Sequence, residues 1–134
     1  MSCLFCRIVS GQEPAEVVLE RDEVVGFLDV RPVFPGHVLL VPRVHVDTLT
    51  ELPDELLVPL FAAARETAAA VKDVLGAQGS FVAMNNTVSQ SVPHLHVHVV
   101  PRTKGDGLRG FFWPRVRYAE GQAQDVAARL RAVL

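Results

Sequence analysis

The chain has 134 residues, 49% of them apolar and 21% charged, with a formal net charge of -2, a size and balance that suit one globular domain with its own core and leave little room for a second. Every apolar run is broken by a charge or a proline before it reaches membrane-spanning length, and the basic residues are scattered apart from a mild cluster between Arg102 and Arg117. A soluble chain with neither a membrane span nor a nucleic-acid footprint is therefore expected, and a small ligand is favoured over a polymer.

The first residues, Met1-Ser2-Cys3-Leu4-Phe5-Cys6-Arg7, lack the basic start and apolar stretch of a signal peptide, which predicts a cytoplasmic protein with reduced thiols. Cys3 and Cys6 are the only cysteines, and a C-x-x-C pair in that setting reads as a metal half-site or a redox pair. Residues 17–19 and 24–28 read as a β-hairpin across the charged turn Glu20-Arg21-Asp22-Glu23. Arg31-Pro32-Val33-Phe34-Pro35-Gly36 is a rigid loop, followed by a strand at residues 37–41 that Pro42 closes.

Residues 54–75 carry Leu57, Leu60, Phe61, Ala64, Ala68, Val71 and Leu75 at helical spacing and end at Gly76, predicting one long helix with Pro59 as an awkward guest near its start. Residues 80–85 read as a fourth strand and residues 93–101 as a fifth. A C-terminal helix with Val126, Leu130 and Val133 on one side completes the chain after an irregular, aromatic- and arginine-rich segment from Arg102 to Tyr118. The order strand, strand, strand, helix, strand, strand, helix predicts an α+β fold, an antiparallel sheet covered by helices on one face.

The fifth strand carries the chemistry. In Pro93-His94-Leu95-His96-Val97-His98-Val99-Val100-Pro101, three of the five histidines alternate with apolar residues. In a strand they project to one side at spacings of roughly 7 Å while Leu95, Val97 and Val99 face the core. Two chemistries want such a row: an open hydrolytic zinc site with histidine ligands, or nucleophilic catalysis by one imidazole whose neighbours fix its tautomer and stabilise developing charge. The preceding loop, Asn85-Asn86-Thr87-Val88-Ser89-Gln90-Ser91, offers small polar side chains and backbone N–H groups suited to a phosphate, which favours attack on phosphorus.

The motif His94-Leu95-His96-Val97-His98-Val99-Val100 resembles the signature of the histidine-triad (HIT) superfamily of nucleotide hydrolases and transferases, and the resemblance extends over nearly the whole chain. Cys3-Leu4-Phe5-Cys6, Val25-Gly26-Phe27-Leu28-Asp29, Pro35-Gly36-His37 through Pro42-Arg43-Val44-His45, and Gln90-Ser91-Val92 are similar to that family's successive blocks. The resemblance implies a single HIT domain over residues 1–134, with a five-stranded antiparallel sheet and a homodimer whose sheets join across the interface. It implies attack by His96 on the α-phosphorus of a nucleotide, giving a nucleotidyl-histidine that water or another acceptor resolves. His98 would donate to a phosphate oxygen, and His37 would be the family's fourth histidine near the α-phosphate.

By the same resemblance, Asp29 would hold the ribose hydroxyls. Phe5, Ile8, Phe27 and Val30 would line the cleft for the base, and Gln90, Ser91 and Asn85 or Asn86 would bind the phosphate. Cys3 and Cys6 with His45 and His94 resemble the closed structural zinc site of a bacterial branch, so that His94 would serve metal and triad together. The implied substrates are nucleoside phosphoramidates, nucleotidyl esters or dinucleoside polyphosphates, with a purine nucleotide or AMP-like product. The loop before Gln90 departs from the family in having no glycine and about two residues fewer, and Phe111-Phe112-Trp113-Pro114-Arg115 matches no substrate class. Two rivals remain, a three-histidine zinc hydrolase and a nucleotide-binding module with negligible turnover.

Overall fold

A computed structural model describes residues 3–108 and 115–134. Its elements are α1 (Leu4–Val9), β1 (Val17–Glu20), β2 (Val24–Leu28), β3 (Val38–Pro42), a 3-10 turn (Leu49–Glu51), α2 (Asp54–Leu75), β4 (Gly79–Ala83), β5 (Val97–Arg102) and α3 (Gln122–Arg131). The strands form one antiparallel sheet in the order β1-β2-β3-β5-β4. The expected strands, long helix and C-terminal helix all form, and α1 is an addition.

Strand alternation divides the core into two layers. On one face Val24, Val38, Leu40, Val97 and Val99 pack with Leu60, Ala63 and Ala64 of α2 and with Leu95. On the other, Val25, Phe27, Leu39 and Val41 pack with Phe5 of α1. Helices thus cover both faces rather than one, and α1 sits on the face toward which His96 and His98 project. The helix α1 starts because the Cys3 sulfur caps it, accepting the Cys6 N–H at 3.4 Å. That cap brings the two thiols of the C-x-x-C pair to the same end of one turn.

The long helix α2 runs over the expected residues, with Pro59 inside it and Gly76 closing it in the left-handed conformation, φ 72°. Its buried line is Leu60, Ala63, Ala64, Thr67 and Val71. The expected line was rotated from this one: Leu57 is 39%, Phe61 42% and Leu75 54% exposed. Alanine and threonine face the sheet because small side chains let the helix approach closely, and the bulkier residues fall to the flanks. The helix α3 has no buried residue, with Leu130 53% and Val133 81% exposed, so its apolar side does not pack on the sheet as expected.

Before β3, Gly36 takes φ 96° where any Cβ would collide with Leu75, and this turn delivers His37 to its buried position. The loop before the histidine row contains two non-glycine residues at positive φ, Thr87 (70°) and Ser89 (62°), a conformation that costs roughly 1–2 kcal/mol per residue. Side chains hold it: Asn86 Oδ1 accepts the Leu49 N–H at 2.7 Å, and Gln90 Oε1 accepts the Thr87 N–H at 2.8 Å. After β5, Arg102 and Asp106 form a two-pronged ion pair at 2.6 and 3.1 Å, which closes the start of the segment expected to be irregular. Phe111, Phe112, Trp113 and Pro114 lie outside the described residues.

Candidate active site and metal centre

The β5 ladder begins at Val97, so His94 and His96 precede the strand on which they were expected. Their segment is anchored instead by the Leu95 N–H donating to the Val46 carbonyl at 2.8 Å. The alternation persists through this lead-in: Leu95, Val97 and Val99 are fully buried in the α2 layer. His94 and His96 are 0% and 2% exposed, and Phe5 stands edge-on to both rings at 6.0 and 5.0 Å.

Hydrogen bonds assign each ring a tautomer. His96 Nδ1 lies 2.8 Å from the His94 carbonyl, which can only accept, so the proton is on Nδ1 and the Nε2 lone pair is free. His94 Nε2 lies 2.8 Å from the Pro42 carbonyl, so its free lone pair is on Nδ1. The Val33 N–H donates to His37 Nδ1 at 3.0 Å, which puts the His37 proton on Nε2. That proton points at His98 Nδ1, 2.9 Å away, leaving the His98 proton on Nε2. The row is therefore differentiated: one free lone pair on His96, one N–H on His98 that His37 orients, and one lone pair on His94 directed elsewhere.

The His94 lone pair is directed at sulfur. Its Nδ1 is 3.5 Å from both Cys3 Sγ and Cys6 Sγ, and His45 Nδ1 is 3.3 Å from Cys6 Sγ. The four ligand atoms lie within 4.8 Å of one another. A tetrahedral ion bound by thiolate and imidazole separates sulfur from nitrogen by about 3.5 Å, so these residues fit one. Both rings are also held from behind, His94 by the Pro42 carbonyl and His45 Nε2 by Asp47 Oδ1 at 2.7 Å, the arrangement that fixes a ligating histidine. These four residues could hold a metal ion.

Asp29, His37 and His98 form a second close cluster. It is a poor cation site because the Val33 N–H occupies the His37 Nδ1 lone pair and so keeps a proton on the nitrogen that would have to ligate. The triad histidines also do not converge on one point, since the free lone pair of His94 belongs to the cysteine cluster. The geometry thus disfavours a catalytic zinc held by the histidine row.

Two cavities meet at His98. One, of about 620 Å³, is lined by Phe5, Ile8, Phe27, Val30, Ser91 and His96, with Asp29 at its edge. The other, of about 380 Å³, is lined by His37, Asn85, Arg31, Phe81 and Leu108, again with Asp29. Asp29 Oδ1 accepts the Arg31 N–H at 2.9 Å and Oδ2 stands 3.7 Å from His37 Nε2, so the residue both ends the strand and reaches both cavities. Asn85 lines the smaller cavity together with His98, whereas Asn86 Oδ1 is engaged by the Leu49 N–H. Gln90 differs from the expectation: its amide bridges the Thr87 N–H and the Asp47 carbonyl, at 2.8 and 2.6 Å, and it lines neither cavity. A third cavity, of about 590 Å³, between α2 and the β1–β2 edge contains no histidine, and its Arg21 and Glu66 neutralise one another at 2.6 Å.

Sequence reasoning did not single out Val33, Arg31 or Asp47. Val33 acts through its backbone, which leaves no mark in residue type, but Asp47 stands two residues after His45 and could have been noticed as its partner.

Burial is the main cause that lowers the His98 pKa to about 4, with His96 and His37 adding to it, and burial also pushes His37 below its ordinary value. Both rings are neutral at pH 7, as the tautomer assignment requires. A histidine depressed on folding contributes stability that is complete above its unfolded pKa of about 6.5 and is lost as pH falls toward the folded value, on the order of 3 kcal/mol for His98. Urea denaturation at pH 7.5 and pH 4 should therefore show a smaller acid loss in a His98→Gln variant than in the parent. Equal losses would mean that His98 is not the depressed group.

Residues 10–105 match the family model described as HIT domain. A Bacillus subtilis protein named Protein hit is 38% identical over 115 residues, covering 84% of this chain and 79% of that one. A Schizosaccharomyces pombe protein named as an adenosine 5'-monophosphoramidase is 32% identical, covering 85% and 84%. Among solved structures, a HIT family member from Bacillus subtilis superposes with a TM-score of 0.89 at 33% identity, covering 100% of this chain and 98% of that one. A structure described as a zinc-bound histidine triad family protein from Mycobacterium smegmatis superposes with a TM-score of 0.77 at 36% identity, covering 100% and 99%. With its five-stranded antiparallel sheet, its ordered row of His94, His96 and His98 and a family match spanning most of its length, the chain belongs to the HIT domain family.

Proposed function

We propose that the chain is a nucleotide hydrolase or transferase that acts on the α-phosphate of nucleoside phosphoramidates or nucleotidyl esters through a covalent nucleotidyl-histidine. The observation that carries this reading is the Nδ1–H of His96 on the His94 carbonyl at 2.8 Å, which in the neutral ring leaves the Nε2 lone pair as the nucleophile, on a residue that lines the larger cavity. In the first step the Nε2–P bond forms, the bond from phosphorus to the leaving group breaks, and the leaving group departs with its electron pair and takes a proton from solvent. His98, its N–H oriented by His37, donates to a phosphate oxygen as charge builds. In the second step water attacks phosphorus and releases a proton to solvent, the N–P bond breaks with its electron pair returning to Nε2, and His96 regains its starting tautomer.

The apolar cavity beside Phe5, Ile8, Phe27 and Val30 suits a purine base, Asp29 the ribose hydroxyls, and Ser91 and Asn85 the phosphate and leaving group. Among the described residues lining the two cavities, Arg31 is the sole permanent cation, against Asp29 and Glu13. That balance favours a nucleoside phosphoramidate, whose leaving amine is uncharged or cationic, over a dinucleoside polyphosphate. The relative named as an adenosine 5'-monophosphoramidase supports the same choice.

The metal in this reading is zinc, held by Cys3, Cys6, His45 and His94 in a closed site that supplies structure rather than chemistry. The reading also includes a homodimer, because β4 is an edge strand with Val82 44% exposed and α2 leaves Leu57, Val58 and Phe61 uncovered.

The test is to mix the protein with adenosine phosphoramidate, quench within milliseconds and determine intact mass. The expected result is an acid-labile increment of one adenylyl group on the residue 94–98 segment, followed by release of AMP. Tight AMP binding with neither adduct nor turnover would leave a binding module in its place.

A further inference from the structure

Three hydrogen bonds join the metal cluster to the loop beside the reacting histidine. His45 Nε2–H donates to Asp47 Oδ1 at 2.7 Å. The Asp47 carbonyl accepts from Gln90 Nε2 at 2.6 Å, and Gln90 Oε1 accepts the Thr87 N–H at 2.8 Å. Thr87 and Ser89 hold left-handed backbone conformations that the chain does not favour without such support. Ser91, at the end of this loop, lines both the cavity beside the cysteine cluster and the cavity of His96 and His98.

We propose that Gln90 and Asp47 form a tie through which occupancy of the four-residue metal site sets the shape of the 85–91 loop, so that metal and nucleotide phosphate strengthen each other's binding. The proposal rests on the zinc and nucleotide readings above and gives Gln90 a positioning role rather than contact with substrate. Metal bound at His45 Nδ1 fixes the ring, and the ring's other nitrogen fixes Asp47. Asp47 in turn presents its carbonyl to Gln90, and Gln90 holds Thr87 in the conformation that leads the chain to Ser91. Coupling of this kind is reciprocal: whatever factor zinc adds to the affinity for nucleotide, nucleotide adds to the affinity for zinc.

The chemistry of the amide separates the tie from ordinary loop support. Gln90→Glu retains an oxygen acceptor for the Thr87 N–H but loses the N–H that reaches the Asp47 carbonyl, so the loop keeps its internal bond while the link to the metal side is cut. Gln90→Ala loses both bonds.

The experiment measures the zinc affinity of the full chain by chelator competition, without AMP and at saturating AMP, in the parent and both variants. In the parent AMP should tighten zinc binding at least about fivefold, and in both variants the ratio should fall to within about twofold of unity. A parent ratio of one, or a ratio preserved in both variants, overturns the tie while the zinc and nucleotide readings stand. Failure to bind zinc overturns the metal reading and the tie with it, and failure to bind AMP does the same for the nucleotide reading. Because the readout is a ratio of zinc affinities, a general weakening of AMP by the added charge of glutamate does not imitate the result.

Discussion

On the proposed reading, replacing His96 by alanine should lower the single-turnover rate on adenosine phosphoramidate by at least about a thousandfold and abolish the covalent adduct, because the Nδ1 lone pairs of His37, His98 and His94 are each directed at another group. His98 and His37 act on a graded scale below it. His98→Ala removes one N–H aimed at the developing charge, an effect of about 10²–10³-fold on kcat, with the adduct still forming slowly. His37→Ala leaves His98 free to choose either tautomer, so only a fraction of molecules present the proton on Nε2, and the loss is nearer tenfold. Rapid-quench measurement of adduct formation and decay on all three variants checks the order. A His96→Ala protein that turns over within tenfold of the parent, or a His37→Ala protein more damaged than His96→Ala, would remove the assigned roles.

Much of this site is legible in residue order, and the illegible part has identifiable causes. The alternation of His94, His96 and His98 with Leu95, Val97 and Val99 gives the two faces correctly, even though the hydrogen-bonded ladder starts only at Val97. An extended segment keeps its side-chain alternation whether or not its backbone pairs with a neighbour. The roles within the row depend on which ring nitrogen carries the proton, and that is decided by the carbonyls of His94 and Pro42 and the N–H of Val33. Backbone groups are the same at every residue, so sequence holds no record of them. The helix α1 is not legible in the sequence because six residues are too few for a periodic signal, although its capping residue belongs to the C-x-x-C pair that reads as a metal half-site. Gln90 carries an amide that suits a phosphate or a loop equally well, and only the distances to Thr87 and Asp47 decide between them.

On the zinc reading, treatment with a chelator separates a structural centre from a catalytic one, and the geometry of the four-residue cluster predicts the structural outcome. The cysteine and histidine cluster brings together the N-terminus, the segment after β3 and the first triad histidine. On the zinc reading, loss of the ion would leave two half-buried thiols and a fully buried imidazole without their shared partner, and Cys6 in particular resists ionisation because burial raises its pKa. A structural zinc site contributes directly to folding free energy, so chelation or Cys6→Ala should lower the melting temperature by at least about 10 °C in a chain of this length. His94 links this centre to the chemistry through its carbonyl, which holds the His96 proton in place. Once the cluster loosens, that carbonyl is less well fixed, and kcat at low temperature should fall by less than about tenfold while KM for the nucleotide rises. A catalytic zinc would behave in the opposite way, with turnover lost at once and the melting temperature unmoved. Scanning calorimetry and steady-state kinetics on the same chelated sample distinguish the two, and chelated protein that keeps its melting temperature but has no activity would return the metal to the histidine row.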